Sequence, residues 1–278
     1  MPYNVPSFLQ AKIKLSVEIN GIWIPFNRAL DSLARHVYPL LHFIENESAF
    51  DLGQAGSSLL VRHEGNLLQI FSNHQLTNIG IDAGDVVICR NELPEHTALG
   101  PCEILTPTTE IPQHANLNDI KLVRYDSPNM REQLDARFLQ NSLLGISSLR
   151  DVQPDSVELL FATGFPTKVS NTDFAMDDTT GEIANVHVHS RSVKLYFQLA
   201  EAIRSDPENR TTLELHDKLE SDLESDFNGY SGAPVFFLWM DEEKNPHIGF
   251  AGMIVEVSFG RRFHLFPGNV IQDILRDI

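Results

Sequence analysis

The sequence has no apolar run approaching the ~20 residues that a membrane-spanning helix requires. Its first ten residues carry two prolines and no basic stretch followed by an apolar one, so no secretory signal is visible and a cytoplasmic location is the default expectation. Cysteine is scarce. Cys89 and Cys102 are the only two, too few for the disulfide framework common in secreted proteins. They can pair, but two buried free thiols is the simpler expectation. There is no CxxC spacing and no His/Cys cluster of zinc type, and neither a metal nor an organic cofactor is expected. Positive charge is also short: 21 Lys and Arg stand against 38 Asp and Glu, a net charge of -17. Binding phosphate backbones or anionic lipid depends on Lys and Arg, so neither nucleic acid nor a membrane is expected as a partner. No repeat or low-complexity tract interrupts the chain.

What remains is an ordinary globular composition, 42% hydrophobic and 21% charged over 278 residues, enough for one large unit or two packed halves. Between Asn27 and Ile44 the residues Leu30, Leu33, Val37, Leu40, Leu41 and Ile44 recur at three- and four-residue steps, predicting an amphipathic helix that Pro39 divides into two pieces. From Ala55 short β-type runs take over. Ser58 to Arg62 and Leu67 to Phe71 flank a turn with Gly65 and predict a hairpin. Further strand runs lie at 85–90, 120–125, 157–162, 186–197, 233–239 and 248–257, separated by Pro, Gly, Asn and Asp, which favours barrels over a βαβ layout. The polar span 167–182 reads as a surface loop. Asn269 followed by Val270, Ile271, Ile274, Leu275 and Ile278 predicts a C-terminal helix. Acidic residues crowd the stretch 217–226, either a solvated loop or a rim that attracts basic peptides.

The strongest local signal is Asn228-Gly-Tyr-Ser-Gly-Ala-Pro-Val-Phe236, a serine between glycines on a tight turn that feeds an apolar strand. A backbone that aims the amides of Gly229 and Ser231 at one developing oxyanion needs dihedrals that β-carbons resist. Gly-x-Ser-Gly-x-Pro-Val resembles the nucleophile loop of the trypsin-like (chymotrypsin-fold) serine peptidases. The resemblance implies a histidine and then an aspartate upstream. Leu67-Leu-Gln-Ile-Phe-Ser-Asn-His-Gln-Leu76 is similar to the family's base motif and offers His74. Leu117-Asn-Asp-Ile-Lys-Leu-Val123 is similar to its acid motif and offers Asp119. Gly164-Phe-Pro166 and Gly252-Met-Ile-Val255 are weaker echoes.

The resemblance, which covers residues 55–278, implies a mainly β fold. Two six-stranded antiparallel barrels are expected at about 51–151 and 152–257, with an N-terminal helical extension at 1–50 and a C-terminal helix at about 269–278. It implies a serine endopeptidase: Ser231 the nucleophile, His74 the general base, Asp119 the orienting carboxylate, and the Gly229 and Ser231 amides the oxyanion donors. Near the primary pocket it sets Ser225 on the floor with Asp226 beside it, and Val255, Glu256 and Val257 along the wall. Bulk there favours small or medium apolar side chains, whereas Asp226 favours Lys or Arg. Tyr230 stands where many animal members have an aspartate that pairs with a newly cleaved N-terminus. The expected partners are a protein or peptide substrate and a regulatory protein engaged through residues 1–50, as in a regulated intracellular protease of narrow range.

Other readings compete. A lone histidine or pre-strand aspartate is commonly structural. An α/β-hydrolase elbow would need glycine at Ala233 and more chain after Ser231 for its later members. A cysteine peptidase on these barrels would need cysteine at the nucleophile. A trypsin-like fold without turnover, serving as a binding or sensor module, is the rival from a different class.

Overall fold

Asn20 and Gly21 adopt positive φ values of 50° and 78° and join β1 (Ser16–Ile19) to β2 (Ile22–Pro25) as a two-residue hairpin. The structure, a computed structural model, describes residues 14–44, 52–92, 95–106, 119–126, 132–144, 149–176, 183–199, 211–216, 226–258 and 261–278. After β2 the chain makes a 3-10 turn, the short helix α1 (Ala29–Leu33) and a second 3-10 turn, Ala34–His36.

The expected second helical piece is instead a strand, β3 (Val37–Phe43). Six of its seven residues are buried, so apolar side chains are needed on both faces of the strand, and their spacing imitates a helical stripe. Pro39 is tolerated because pairing to the next strand on that side involves only Leu41 and His42, leaving Pro39 with a single neighbour, Ser57.

The strands β4 (Leu52–His63), β5 (Asn66–Ser72), β6 (Val86–Glu92), β7 (Glu95–Leu99), β8 (Glu103–Leu105) and β9 (Ile120–Tyr125) complete a sheet with β3 in the order β7-β6-β3-β4-β5-β9-β8. A two-residue strand, β10 (Leu139–Gln140), runs parallel to the end of β4 and makes eight strands in all. The β4–β5 turn is the hairpin expected at Gly65, with Glu64 and Gly65 at φ 48° and 85°. A one-turn helix, α2 (His74–Thr77), follows β5 directly.

Among the described residues the edges of this sheet, β7 and β8, are not paired with each other, so one closed barrel is shown and the second that the resemblance implies is not. The pairing towards both ends is short: two residue pairs join β3 to β6 and three join β8 to β9. The sheet also begins before the expected boundary at residue 51, since β3 is one of its inner strands.

The second half contains the closed barrel. Its strands β11 (Val157–Gly164), β14 (Val193–Leu199), β15 (Thr211–Leu215), β16 (Pro234–Met240), β17 (Pro246–Ser258) and β18 (Arg262–Pro267) close in the order β11-β14-β15-β18-β17-β16. Part of the span read as a surface loop is the strand β12 (Asn171–Met176), which forms a separate hairpin with β13 (Ile183–His189). The C-terminal helix is α3 (Gly268–Arg276).

Strand alternation explains how the halves join. In β5, Leu67 and Phe71 enter the core of the sheet half while Leu68 and Ile70 face a central core. In β16, Val235 and Phe237 fill the barrel and Phe236 and Leu238 face that same central core. Val17, Ile19, Ala29 and Leu33 from the N-terminal segment and Val270, Ile271, Ile274 and Leu275 from α3 complete it. Each such aliphatic side chain contributes about 1.5–3 kcal/mol of burial. The N-terminal segment is thus part of the body of the fold, and Asp31 on α1 is ion-paired to Lys194 on β14.

Among the described residues no helix is long and apolar enough to cross a membrane. Both cysteines are free. Cys89 is half-buried, but Cys102 is exposed, contrary to the expectation of two buried thiols.

Candidate functional site

The antiparallel register of β5 and β9 opposes Ser72 to Ile120, which brings the residues just beyond each strand end, Asn73 and His74 on one side and Asp119 on the other, face to face. The Asn73 amide donates to the Asp119 carbonyl. Asp119 Oδ1 accepts from the His74 amide at 3.0 Å and lies 2.9 Å from His74 Nδ1; Oδ2 accepts from the Ser72 hydroxyl at 2.8 Å. An ionised carboxylate can only accept, so the imidazole proton belongs on Nδ1 and Nε2 is left with its lone pair. That nitrogen lies 3.0 Å from Ser231 Oγ. His74 and Asp119 keep 32% and 20% of their side-chain surface exposed, so the pair is sheltered but reachable from solvent.

Ser231 comes from the other half of the molecule, on the loop that enters β16. Its neighbours hold that loop by backbone bonds: Tyr230 N–H to Phe227 O, Ala233 N–H to Tyr230 O, and Gly232 N–H to Ile254 O. Tyr230 is fully buried, its hydroxyl donates to Val193 O at 3.2 Å, and its ring packs edge-on to Phe227. Tyr230 is thus a buried aromatic anchor of the loop within the barrel core.

Gly229 and Gly232 adopt φ +94° and +75°. A β-carbon on Gly229 would meet Phe165 O at 2.5 Å and Thr167 N at 2.9 Å, and one on Gly232 would overlap Ser57 O. Glycine is required at both places by dihedral and by space. Among the described residues no hydrogen bond is found from the amides of Gly229 and Ser231.

The remaining expected site residues do not converge in the same way. Ser225 lies outside the described residues. Asp226 accepts from the Asn228 amide at 3.1 Å and so stabilises the approach to the Ser231 loop. Val255 is buried in the central core, Glu256 is exposed and opposite His264 in the register, and Val257 packs against the core of the barrel. Among the described residues no group of three or more His, Cys, Asp or Glu is arranged to hold a metal ion.

Three buried or sheltered polar residues went unnoticed in the sequence. Ser57 Oγ donates to Gly229 O at 2.7 Å and accepts from Phe165 N–H at 2.8 Å, and the Ser57 amide donates to Ser231 O at 3.2 Å. Gln75 reaches the same Ser231 carbonyl. Ser72 touches both Asp119 and His74 Nδ1. Ser57 and Ser72 beside apolar strand runs were the available signal, since a polar residue there needs a partner, whereas Gln75, following polar Asn73 and His74 on the turn after β5, carried none.

The chain matches no model of a known protein family, and no curated protein matches it significantly.

Proposed function

We propose that the protein is a serine endopeptidase of trypsin-like type, acting on a protein or peptide substrate through Ser231, His74 and Asp119. The observation that carries this reading is the 3.0 Å approach of His74 Nε2 to Ser231 Oγ, with the Asp119 carboxylate on the opposite ring nitrogen. A hydroxyl is a weak nucleophile near neutral pH and needs a base in hydrogen-bond reach with its tautomer held. The eight-stranded sheet is then the counterpart of the family's first barrel, and the closed barrel the counterpart of its second.

In this mechanism Ser231 Oγ attacks the substrate carbonyl carbon as its proton passes to His74 Nε2. The resulting oxyanion faces the Gly229 and Ser231 amides. Collapse breaks the C–N bond, and the departing amine takes the proton from Nε2. Water then attacks the acyl-enzyme, giving a proton to His74 that returns to Ser231 Oγ as the acid product leaves. Asp119 stays ionised throughout and stabilises the imidazolium. Loss of an oxyanion donor typically costs ~10²–10³ in rate.

The test is reaction of the purified protein with a fluorophosphonate probe, comparing wild type with Ser231→Ala and His74→Ala. The expected result is a stoichiometric adduct on Ser231 that neither variant forms. A folded wild type that does not react refutes the reading and favours a binding module on the same fold.

A further inference from the structure

The base and the nucleophile of the proposed site sit on different halves of the molecule, His74 behind a strand of the sheet and Ser231 on a loop of the barrel. Their separation is set by whatever crosses between the halves at that point, and the side chain next to His74 does so. Gln75 is buried, and its Oε1 accepts from the Ser72 amide at 3.2 Å, which ties it to the end of β5. Its Nε2 donates to Ser231 O and lies 3.4 Å from Ser57 O. The Ser231 carbonyl also accepts from the Ser57 amide, so both of its bonds come from the sheet half.

The space for this arrangement is reserved. A β-carbon on Gly56 would overlap Gln75 Nε2, and one on Gly232 would come within 2.8 Å of Gln75 Oε1. Ser57 reinforces the tie through its hydroxyl, which donates to Gly229 O. Two carbonyls of the nucleophile loop, those of Gly229 and Ser231, are therefore held by groups of the half that carries His74.

Resting on the reading of Ser231 as nucleophile, we propose that Gln75 is a positioning residue that clamps the Ser231 peptide to the His74 turn and so sets the Nε2 to Oγ distance. It touches no reacting atom. Its amide fixes the plane of the peptide that follows Ser231, and with it the direction in which Oγ leaves the backbone. Misplacement of such a pair by an ångström is worth about 100-fold in rate.

The test uses Gln75→Met, which keeps the volume and removes both polar atoms, and Gln75→Glu, which keeps the shape. In the first, fluorophosphonate labelling of Ser231 should slow by about 10- to 100-fold. In the second, the introduced carboxyl repels Ser231 O when ionised and donates to it when protonated. The labelling rate relative to wild type should therefore recover as pH falls, a dependence that a packing role alone does not produce. A readout independent of reactivity is the ¹⁵N shift of His74 Nε2, which Ser231→Ala should move strongly in the wild-type background and weakly beside Gln75→Met. Labelling of Gln75→Met within threefold of wild type, or an equal ¹⁵N response in both backgrounds, overturns the clamp. An unreactive wild type with a Gln75-dependent ¹⁵N response refutes the nucleophile and leaves the clamp standing.

Discussion

Replacing Asp119 by Asn is the sharpest single perturbation of the proposed chemistry, because it changes charge while keeping shape. The carboxylate accepts at once from the His74 amide, from Nδ1 and from the Ser72 hydroxyl. A carboxamide has one oxygen to serve these donors, and its NH₂ group turned towards Nδ1 forces the imidazole proton onto Nε2, where it faces Ser231 Oγ and blocks the base. The electrostatic loss can be sized separately. An imidazolium and a carboxylate with charge centres about 4 Å apart attract by about 4 kcal/mol at the effective dielectric of a sheltered site, equivalent to about three decades in rate. With the tautomer change added, turnover of a peptide substrate should fall about 10³- to 10⁴-fold. The assay is a paired measurement of kcat/KM and of fluorophosphonate labelling, with urea unfolding as the control for folding. Retention of more than a tenth of the wild-type rate by a folded Asp119→Asn protein would refute the assignment of Asp119.

Ser72→Ala should be milder, about 10-fold in kcat, because it deletes the hydroxyl's contacts with the Asp119 carboxylate and His74 Nδ1 and leaves the charge in place; an unchanged kcat would show Ser72 to be a bystander. Gly232→Ala should destabilise the fold by about 3 kcal/mol or more through its positive φ and the overlap with Ser57 O, read as a lower urea midpoint. Cys102 should react with iodoacetamide in the native protein and Cys89 should not, since burial pushes the Cys89 thiol up to about 11; rapid native alkylation of Cys89 would contradict its placement. The same shift has a stability sign. The folded state holds the Cys89 proton more tightly than the unfolded chain, so this contribution is complete below pH 8 to 9 and is lost as pH rises towards about 11. Tyr38, buried beside Cys89 and raised for the same reason, adds to the alkaline loss. Removing residues 1–47 should abolish cooperative unfolding. It deletes β3 and strips Val17, Ile19, Leu33, Val37, Leu40 and Leu41 from the cores, together worth about 10 kcal/mol, comparable with the whole stability of a domain.

The parts of the molecule that the sequence by itself determined are those written in short-range chemistry. A hairpin at Gly65, the apolar face of the C-terminal helix (though the helix begins at Gly268, one residue before the expected Asn269, and ends at Arg276), and glycines on either side of Tyr230 and Ser231 follow from turn dihedrals and periodicity over a few residues. Asn20-Gly21 was an equally readable hairpin signal. His74, Asp119 and Ser231 could be selected from local motifs, and their side chains meet in space. The tertiary structure alone decided the rest. Val37 to Phe43 is a strand because neighbours cover both of its faces, and no single-chain period distinguishes that pattern from a helical stripe. The polar run from Asn171 to Met176 became a strand because Ile183–His189 lies alongside it to accept its hydrogen bonds. Ser57, Ser72 and Gln75 have meaning only once pairing of β5 with β9, and packing of the sheet against the barrel, bring residues as much as 174 positions apart, Ser57 and Ser231, into one hydrogen-bonded group.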